Sequence, residues 1–402
     1  MRAAPEAQAA APAQAEGRSA VRRVLFWTHL SAGAVAGVVI GLLSLTGAAL
    51  ALERPVLAGL TPRTADASAR WLPVDELLSR ARVARPGVAP TAITLDADAG
   101  TAWVALGRSG GVGLDGRTGT LQGGSAPAVR NAFGKVEELH RWLLLSGDAR
   151  ETGEGIVGAS ALLFLFLALT GPFLWIPRRW SAAAVRRISW FRRGMRGRAR
   201  DWNWHHVLGI WCFPVLVVLS TSGVVMSYRW ANDAVFRLAG SPPPPPGRPQ
   251  GPKVESPGDR AVAVPLQRIA GLAMERVPAW RELTVRLDPQ AGRRPGAVQV
   301  SVRERDARPR FAAVQLWADP FTGKFLREDR YGDLSPGRKA RVWMRFLHTG
   351  EAFGATGQLL AGLASLGAAL LVWTGLALAL RRLARALRAR PAMGSEAEPS
   401  SP

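Results

Sequence analysis

Four stretches of this chain carry no charged side chain over a span-sized length: Val24–Leu52, Ile156–Ile176, Val207–Tyr228 and Leu359–Leu380. A hydrocarbon core about 30 Å thick takes about 20 helical residues, so each stretch predicts a transmembrane helix. The two long connections, 53–155 and 229–358, have shorter periods. In the first, Val74–Ala84 has helical spacing and Thr91–Asp96 and Thr101–Leu106 read as strands. The turn Leu114-Asp115-Gly116-Arg117-Thr118-Gly119 then leads into a short strand at Thr120–Gln122. In the second, Leu266–Arg276 is the helix and Leu283–Asp288, Ala297–Arg303 and Phe311–Trp317 are strands. The turn Ala318-Asp319-Pro320-Phe321-Thr322-Gly323 follows, and after it Lys324-Phe325-Leu326. Asp opens and Gly closes each turn, because a carboxylate caps backbone N–H groups and Gly accepts positive φ. Each long connection is therefore expected to form a small α+β module. The chain reads as helix, module, helix, helix, module, helix.

Charge sets the expected orientation. Residues 178–200 contain Arg178, Arg179, Arg186, Arg187, Arg192, Arg193, Arg196, Arg198 and Arg200 and no acidic residue. Arg22 and Arg23 precede the first span, and Arg381, Arg382, Arg385, Arg388 and Arg390 follow the fourth. Short Arg-rich segments stay in the cytoplasm. Both termini and the middle loop are thus expected inside and both long connections outside. The net charge of +22 is largely this topology signal, so nucleic acid is not an expected partner. The long connections are basic as well, which suits anionic ligands or lipid headgroups. Ala49-Leu50-Ala51 imitates a signal-peptide cleavage site, but the apolar stretch before it far exceeds the usual ~7–15 residues. Residues 1–20 and 391–402 read as disordered tails. Pro242–Pro246, with Gly247 and Pro249, reads as a stiff spacer.

Several chemistries drop out. A single cysteine, Cys212, excludes an intrachain disulfide and a thiolate cluster. With no C-x-x-C-H motif, any haem is held without covalent attachment. The spans contain no Asp, Glu, Lys or Arg, which disfavours an ion-driven permease. Gly107, Gly110, Gly111 and Gly113 suggest a nucleotide loop, but no helix follows to receive a phosphate. The inner connections are too short for a flavin or nicotinamide domain, so an electron donor would be a separate molecule.

Histidine carries the remaining signal. His29 opens the first span and His205 the third, each followed by a hydroxyl-Gly pair, Thr46-Gly47 and Ser222-Gly223. The interval is 18 residues in both (29 to 47 and 205 to 223). At about 1.5 Å per residue that is roughly 27 Å, nearly the hydrocarbon thickness. His140 and His348 precede the second and fourth spans. One boundary histidine is usually an interfacial hydrogen bonder; four at repeat-matched places point to a metal. A haem iron needs two imidazoles on facing elements, each with its other nitrogen oriented. The expectation is an inner site on His29 and His205 and an outer site on His140 and His348. His206 points about 100° from His205 on a helix; it is a supporting donor or itself the ligand. Arg141 is a candidate for a haem propionate or an anionic lipid. The Thr-Gly pairs read as helix-packing elements, with room for a porphyrin edge as the other reading.

From Val21 to Arg382 the chain resembles the PepSY-associated transmembrane family. Carrying residues are Trp27-Thr28-His29 with Leu45-Thr46-Gly47, and Leu139-His140-Arg141 before Leu169-Thr170-Gly171. In the second half they are Trp204-His205-His206-Val207-Leu208-Gly209, and Phe346-Leu347-His348-Thr349-Gly350 before Trp373-Thr374-Gly375. Asp319-Pro320-Phe321-Thr322-Gly323 matches the PepSY turn, while Asp115-Gly116-Arg117-Thr118-Gly119 departs from it at the Pro and the aromatic. The resemblance implies an integral membrane α-helical protein of four transmembrane helices, internally duplicated, with two small extracytoplasmic PepSY-like α+β modules. It further implies a bacterial inner-membrane iron-uptake factor or periplasmic ferric-siderophore reductase with two b-type haems. Its partners would be the lipid bilayer, a ferric chelate or siderophore, and a separate cytoplasmic or membrane electron donor. The competing expectation is a haem-free anchor or sensor whose outer modules bind a peptide or protein; a permease comes third.

Overall fold

The computed structural model describes residues 10–61, 70–107, 110–177, 180–246, 251–255, 262–287 and 296–388. Residues 1–9, Arg178, Arg179, Gly247, Pro249, Asp288, Arg390 and the tail 391–402 lie outside the described residues. In chain order the helices and strands are α1 (Ala10–Ala51), α2 (Glu53–Leu60), α3 (Val74–Ala84), β1 (Pro90–Asp96), β2 (Thr101–Leu106) and β3 (Gly110–Asp115). There follow α4 (Ala126–Trp142), α5 (Ala149–Trp175), α6 (Ala182–Ser189), α7 (Gly197–Ser227), α8 (Arg229–Leu238) and α9 (Leu266–Arg276). The last are β4 (Trp280–Arg286), β5 (Val298–Glu304), β6 (Val314–Ala318), β7 (Phe325–Asp329), α10 (Pro336–His348) and α11 (Gly354–Arg388). Two compact units result: residues 1–45, 158–221 and 363–402, and residues 46–157 and 222–362.

Four helical stretches are long and apolar enough to cross a membrane: Ala20–Leu60, Ala149–Trp175, Gly197–Ser227 and Glu351–Arg388. They outrun the uncharged runs that predict them. α5 starts at Ala149, α7 at Gly197, and α11 runs on to Arg388. Charge marks where apolar surroundings end, whereas backbone hydrogen bonding continues beyond. For the same reason α1 begins at Ala10, inside the segment expected to be disordered; Ala and Gln are strong helix formers.

The first unit is helical and packs through small residues. A Cβ on Gly37 would stand 3.3 Å from Leu376 Cδ2, and one on Gly41 3.3 Å from Val372 Cγ1. Their absence lets α1 lie close on α11. A Cβ on Gly367 would fall 2.5 Å from Cys212 Sγ, and Ala364, Ala368 and Leu216 are buried beside it. That seam joins α7 to α11. Val35 and Val38 on α1 are 79% and 74% exposed, an apolar outward face that suits lipid.

The second unit contains one seven-stranded antiparallel sheet, ordered β3-β2-β1-β4-β5-β6-β7. The two expected modules share it, because β1 pairs with β4 from Ala92↔Arg286 to Asp96↔Glu282. Pairing there removes two exposed strand edges. One face carries Ile93, Leu95, Val104, Leu283, Val285, Val300, Val302 and Leu316, buried under Leu77, Leu78 and Ala81 of α3 and Ile269, Ala270 and Ala273 of α9. Each large aliphatic side chain buried this way contributes about 1.5–3 kcal/mol. The two helices cap each other: the Asp75 carboxylate accepts the backbone N–H of Leu266 (3.1 Å) and Gln267 (2.8 Å), and Gln267 Oε1 accepts that of Val74 (2.8 Å).

Both turns form as expected. Asp115 accepts the N–H groups of Arg117 and Thr118, Asp319 those of Phe321 and Thr322, and Gly119 and Gly323 have φ of 67° and 74°. Burial pushes the Asp115 carboxyl up, but the N–H groups of Thr118 and Arg117 outweigh it and hold the group below its ordinary value. Thr120–Gln122 shrinks to one bridge, Leu114↔Leu121. The glycine-rich stretch is a strand, β3, because Trp103 lies across Gly111, where a Cβ would meet the indole at 2.5 Å.

Candidate functional site

In the helical unit, His29 on α1 meets Thr170 on α5, with Nδ1 2.8 Å from Oγ1. Thr170 spends its hydroxyl proton on the Phe166 carbonyl one turn back (2.8 Å). It therefore accepts from His29, which carries its proton on Nδ1. His205 on α7 is fixed still more firmly. Its Nδ1 lies 3.1 Å from the Leu371 carbonyl and 3.0 Å from Thr374 Oγ1, both on α11. A carbonyl cannot donate, and Thr374 gives its own proton to Leu370 (2.8 Å), so Nδ1–H is again the donor. Both imidazoles thus keep the Nε2 lone pair for a metal, in the orientation a neighbouring hydrogen bond imposes on a ligating histidine. Gly375 makes room: a Cβ there would stand 3.3 Å from His205 Cε1.

In the second unit two more histidines meet hydroxyls. Thr46 Oγ1 lies 2.8 Å from His140 Nδ1, and Ser222 Oγ lies 3.0 Å from His348 Nδ1. The two rings are neighbours, with centroids 6.2 Å apart and planes 58° apart. Each histidine is followed closely by a tight corner. After His140 the chain turns through Leu143 and Leu144, both left-handed at φ 56° and 60°, a conformation that costs leucine about 1–2 kcal/mol per residue. There a Cβ on Gly153 of α5 would strike the Trp142 carbonyl at 2.3 Å. After His348, a Cβ on Gly357 of α11 would strike the Gly350 carbonyl at 2.2 Å. The carbonyl two residues beyond each histidine therefore packs on a glycine of the next helix.

The other candidates fall elsewhere. His206 gives its Nδ1 proton to the Trp202 carbonyl of its own helix (2.9 Å), and its ring lies 4.0 Å from that of Trp202. Among the described residues it takes no orienting bond from another helix, whereas His205 does. Arg141 pairs with Glu137 (3.0 Å) and lies over Trp142, so its charge is answered on its own helix. On the sheet face opposite the core, Asp96, Glu282 and Arg303 are neighbours in register. Burial lowers the pKa of Arg303 and of Arg130, with Glu282 chief among the acids that oppose this for Arg303 and Glu53 for Arg130. The Arg303 Nε is buried with no partner among the described residues.

Among the described residues no group of three or more His, Cys, Asp or Glu could hold a bare metal ion. The family model of the PepSY-associated TM region matches residues 26–382. The chain belongs to that family. All four histidines and all four hydroxyl partners fall inside the PepSY-associated TM region. No curated protein matches the chain.

Sequence reading missed the role of Thr46, Thr170, Ser222 and Thr374, each of which it assigned to helix packing. Recurrence of a hydroxyl before glycine in all four spans was the available signal.

Proposed function

We propose that this protein carries electrons across the bacterial inner membrane on two b-type haems and reduces a ferric siderophore or similar ferric chelate on the outer side. His29 and His205 would hold the inner haem, His140 and His348 the outer one. The observation that carries this is the bonding of all four imidazoles through Nδ1 to hydroxyls from other helices. A haem so held supplies reversible one-electron chemistry. The hydroxyls orient the rings, and the uncharged spans would keep water from the inner pair. His206 would support the inner site from its neighbouring turn.

In this reading the termini and the Arg-rich loop face the cytoplasm, where the charge of that loop belongs. The strands form two duplicated PepSY-like modules on the outer side. Their polar face, with Arg303 and Arg130, would attract an anionic ferric chelate. The electron donor is a separate molecule.

The test is the visible spectrum of the detergent-purified protein, oxidised and dithionite-reduced, with haem counted per chain. A sharp low-spin b-type spectrum near two haems per chain is expected. A colourless protein after expression with ample haem would end the conduit reading and leave a haem-free, membrane-anchored binding protein.

A further inference from the structure

A cavity of about 540 Å³ lies in the helical unit, lined by Arg22, Leu174, Trp175, Ile188, Trp202 and His206 among others. That volume falls in the range of about 300–1,000 Å³ usual for small-molecule sites. We propose that it binds the headgroup of a membrane quinol. The walls are aliphatic and aromatic, and Trp202 lies over the His206 ring with centroids 4.0 Å apart and planes 31° apart. Besides guanidinium groups, the polar groups are one acceptor and one donor. His206 has its Nδ1 proton on the Trp202 carbonyl, which leaves Nε2 as an acceptor. Trp175 has its indole N–H buried with no partner among the described residues. A buried N–H without a partner is costly, and a ligand oxygen would satisfy it.

Two guanidinium groups, of Arg22 and Arg187, also line it. Both Arg22 Nη atoms donate to carbonyls at the end of α5, Leu174 (2.7 Å) and Ile176 (3.0 Å), where a helix presents negative partial charge. That guanidinium is thereby turned to the helix end. A flat ring with a hydroxyl at each end matches what is left: one hydroxyl donates to His206 Nε2 and the other oxygen accepts from Trp175. The His206 ring stands 6.4 Å from that of His205, so the ligand would sit beside the inner site. This inference rests on the conduit reading and names the class of its donor. One quinol gives up two electrons and two protons and becomes the quinone. The electrons would pass singly to a one-electron acceptor held at the inner site, and the protons to water.

The experiment is calorimetric titration of the full-length protein in detergent with a short-tailed ubiquinone analogue, and in parallel with phosphatidylglycerol. Saturable quinone binding is expected. Trp175→Phe keeps an aromatic ring, though a smaller one, and loses the N–H, and should weaken binding at least about fivefold, the equivalent of one hydrogen bond. Ala184→Trp, which fills the cavity from α6, should abolish it. No saturable quinone binding, equal affinity in both variants, or binding of phosphatidylglycerol alone would overturn the site. Haem counted on the same samples tests the conduit separately. Binding without haem keeps the site and removes the conduit; haem without binding does the reverse.

Discussion

His205 donates its Nδ1 proton to the carbonyl of Leu371, 3.1 Å away, and that bond alone decides which ring nitrogen is left for a metal. Thr374 Oγ1, at 3.0 Å, shares the same proton. His29 has the hydroxyl of Thr170 in the corresponding place. The two imidazoles are therefore held to different degrees, and replacement of each hydroxyl should show it.

Thr170→Val keeps the shape of the side chain and removes the acceptor. Loss of such a supporting bond typically lowers metal affinity about 10–100-fold. Haem retention should fall in this variant, and fall less in Thr374→Val, where the Leu371 carbonyl still orients the ring. Haem per chain through a series of detergent washes measures the difference. Equal retention in the two variants would contradict the tautomer argument.

Loss of a ligand should be site-selective. His29→Ala and His348→Ala remove imidazoles from different pairs, so each should cost about half of the haem absorbance if each pair holds one haem. Unchanged haem in both variants would refute the ligand assignment.

The glycines after the hydroxyls are unequal. Gly375→Ala would put a Cβ 3.3 Å from His205 Cε1, whereas a Cβ on Gly171 has nothing within 4 Å. Gly375→Ala should shift the haem spectrum or reduce occupancy, and Gly171→Ala should leave both as they are. Spectra of the two single variants at equal protein concentration decide this.

Asp75→Ala removes the carboxylate that caps the start of α9 at Leu266 and Gln267. Lost caps cost about 0.5–2 kcal/mol. Thermal unfolding should move down by a few degrees, with little change in the spectrum of any bound haem.

Glu328 on β7 accepts from Arg276 (2.8 Å) and Arg330 (2.6 Å). Burial raises its pKa, but these guanidinium donors outweigh burial and hold the group below its ordinary value of 4.5. A carboxylate lowered in the folded state stabilises fully above its unfolded pKa and loses that contribution as pH falls through the folded value. Wild type should therefore lose more thermal stability than Glu328→Gln between neutral pH and about pH 3.5. Parallel losses would mean the pair contributes nothing.

Much of the scaffold was legible because its signals are local. Span-length uncharged runs, the helical spacing of Val74–Ala84 and Leu266–Arg276, and the Asp-to-Gly turns all state their structure within a dozen residues. The candidate site was half legible. Four histidines stand out by place, but their partners do not: Thr170 is 141 residues from His29, Thr46 is 94 from His140, Ser222 is 126 from His348 and Thr374 is 169 from His205. No local period encodes a hydroxyl that far away. β3 escaped because glycine is a poor strand former, and only Trp103 lying across Gly111 explains it.

The β1–β4 seam has a consequence for how the chain is made. Thr94 and Thr284, opposite each other in that seam and bonded through their hydroxyls at 2.9 Å, are 190 residues apart, with α5 and α7 between them. Long-range pairing of this kind forms late. During synthesis the first three strands must wait with β1 as an open edge while two more helices are threaded, and an open edge invites pairing with a stranger. Insertion speed thereby becomes a condition of correct folding: a chain that stalls between the second and third spans leaves that edge unprotected, and misassembly would begin there.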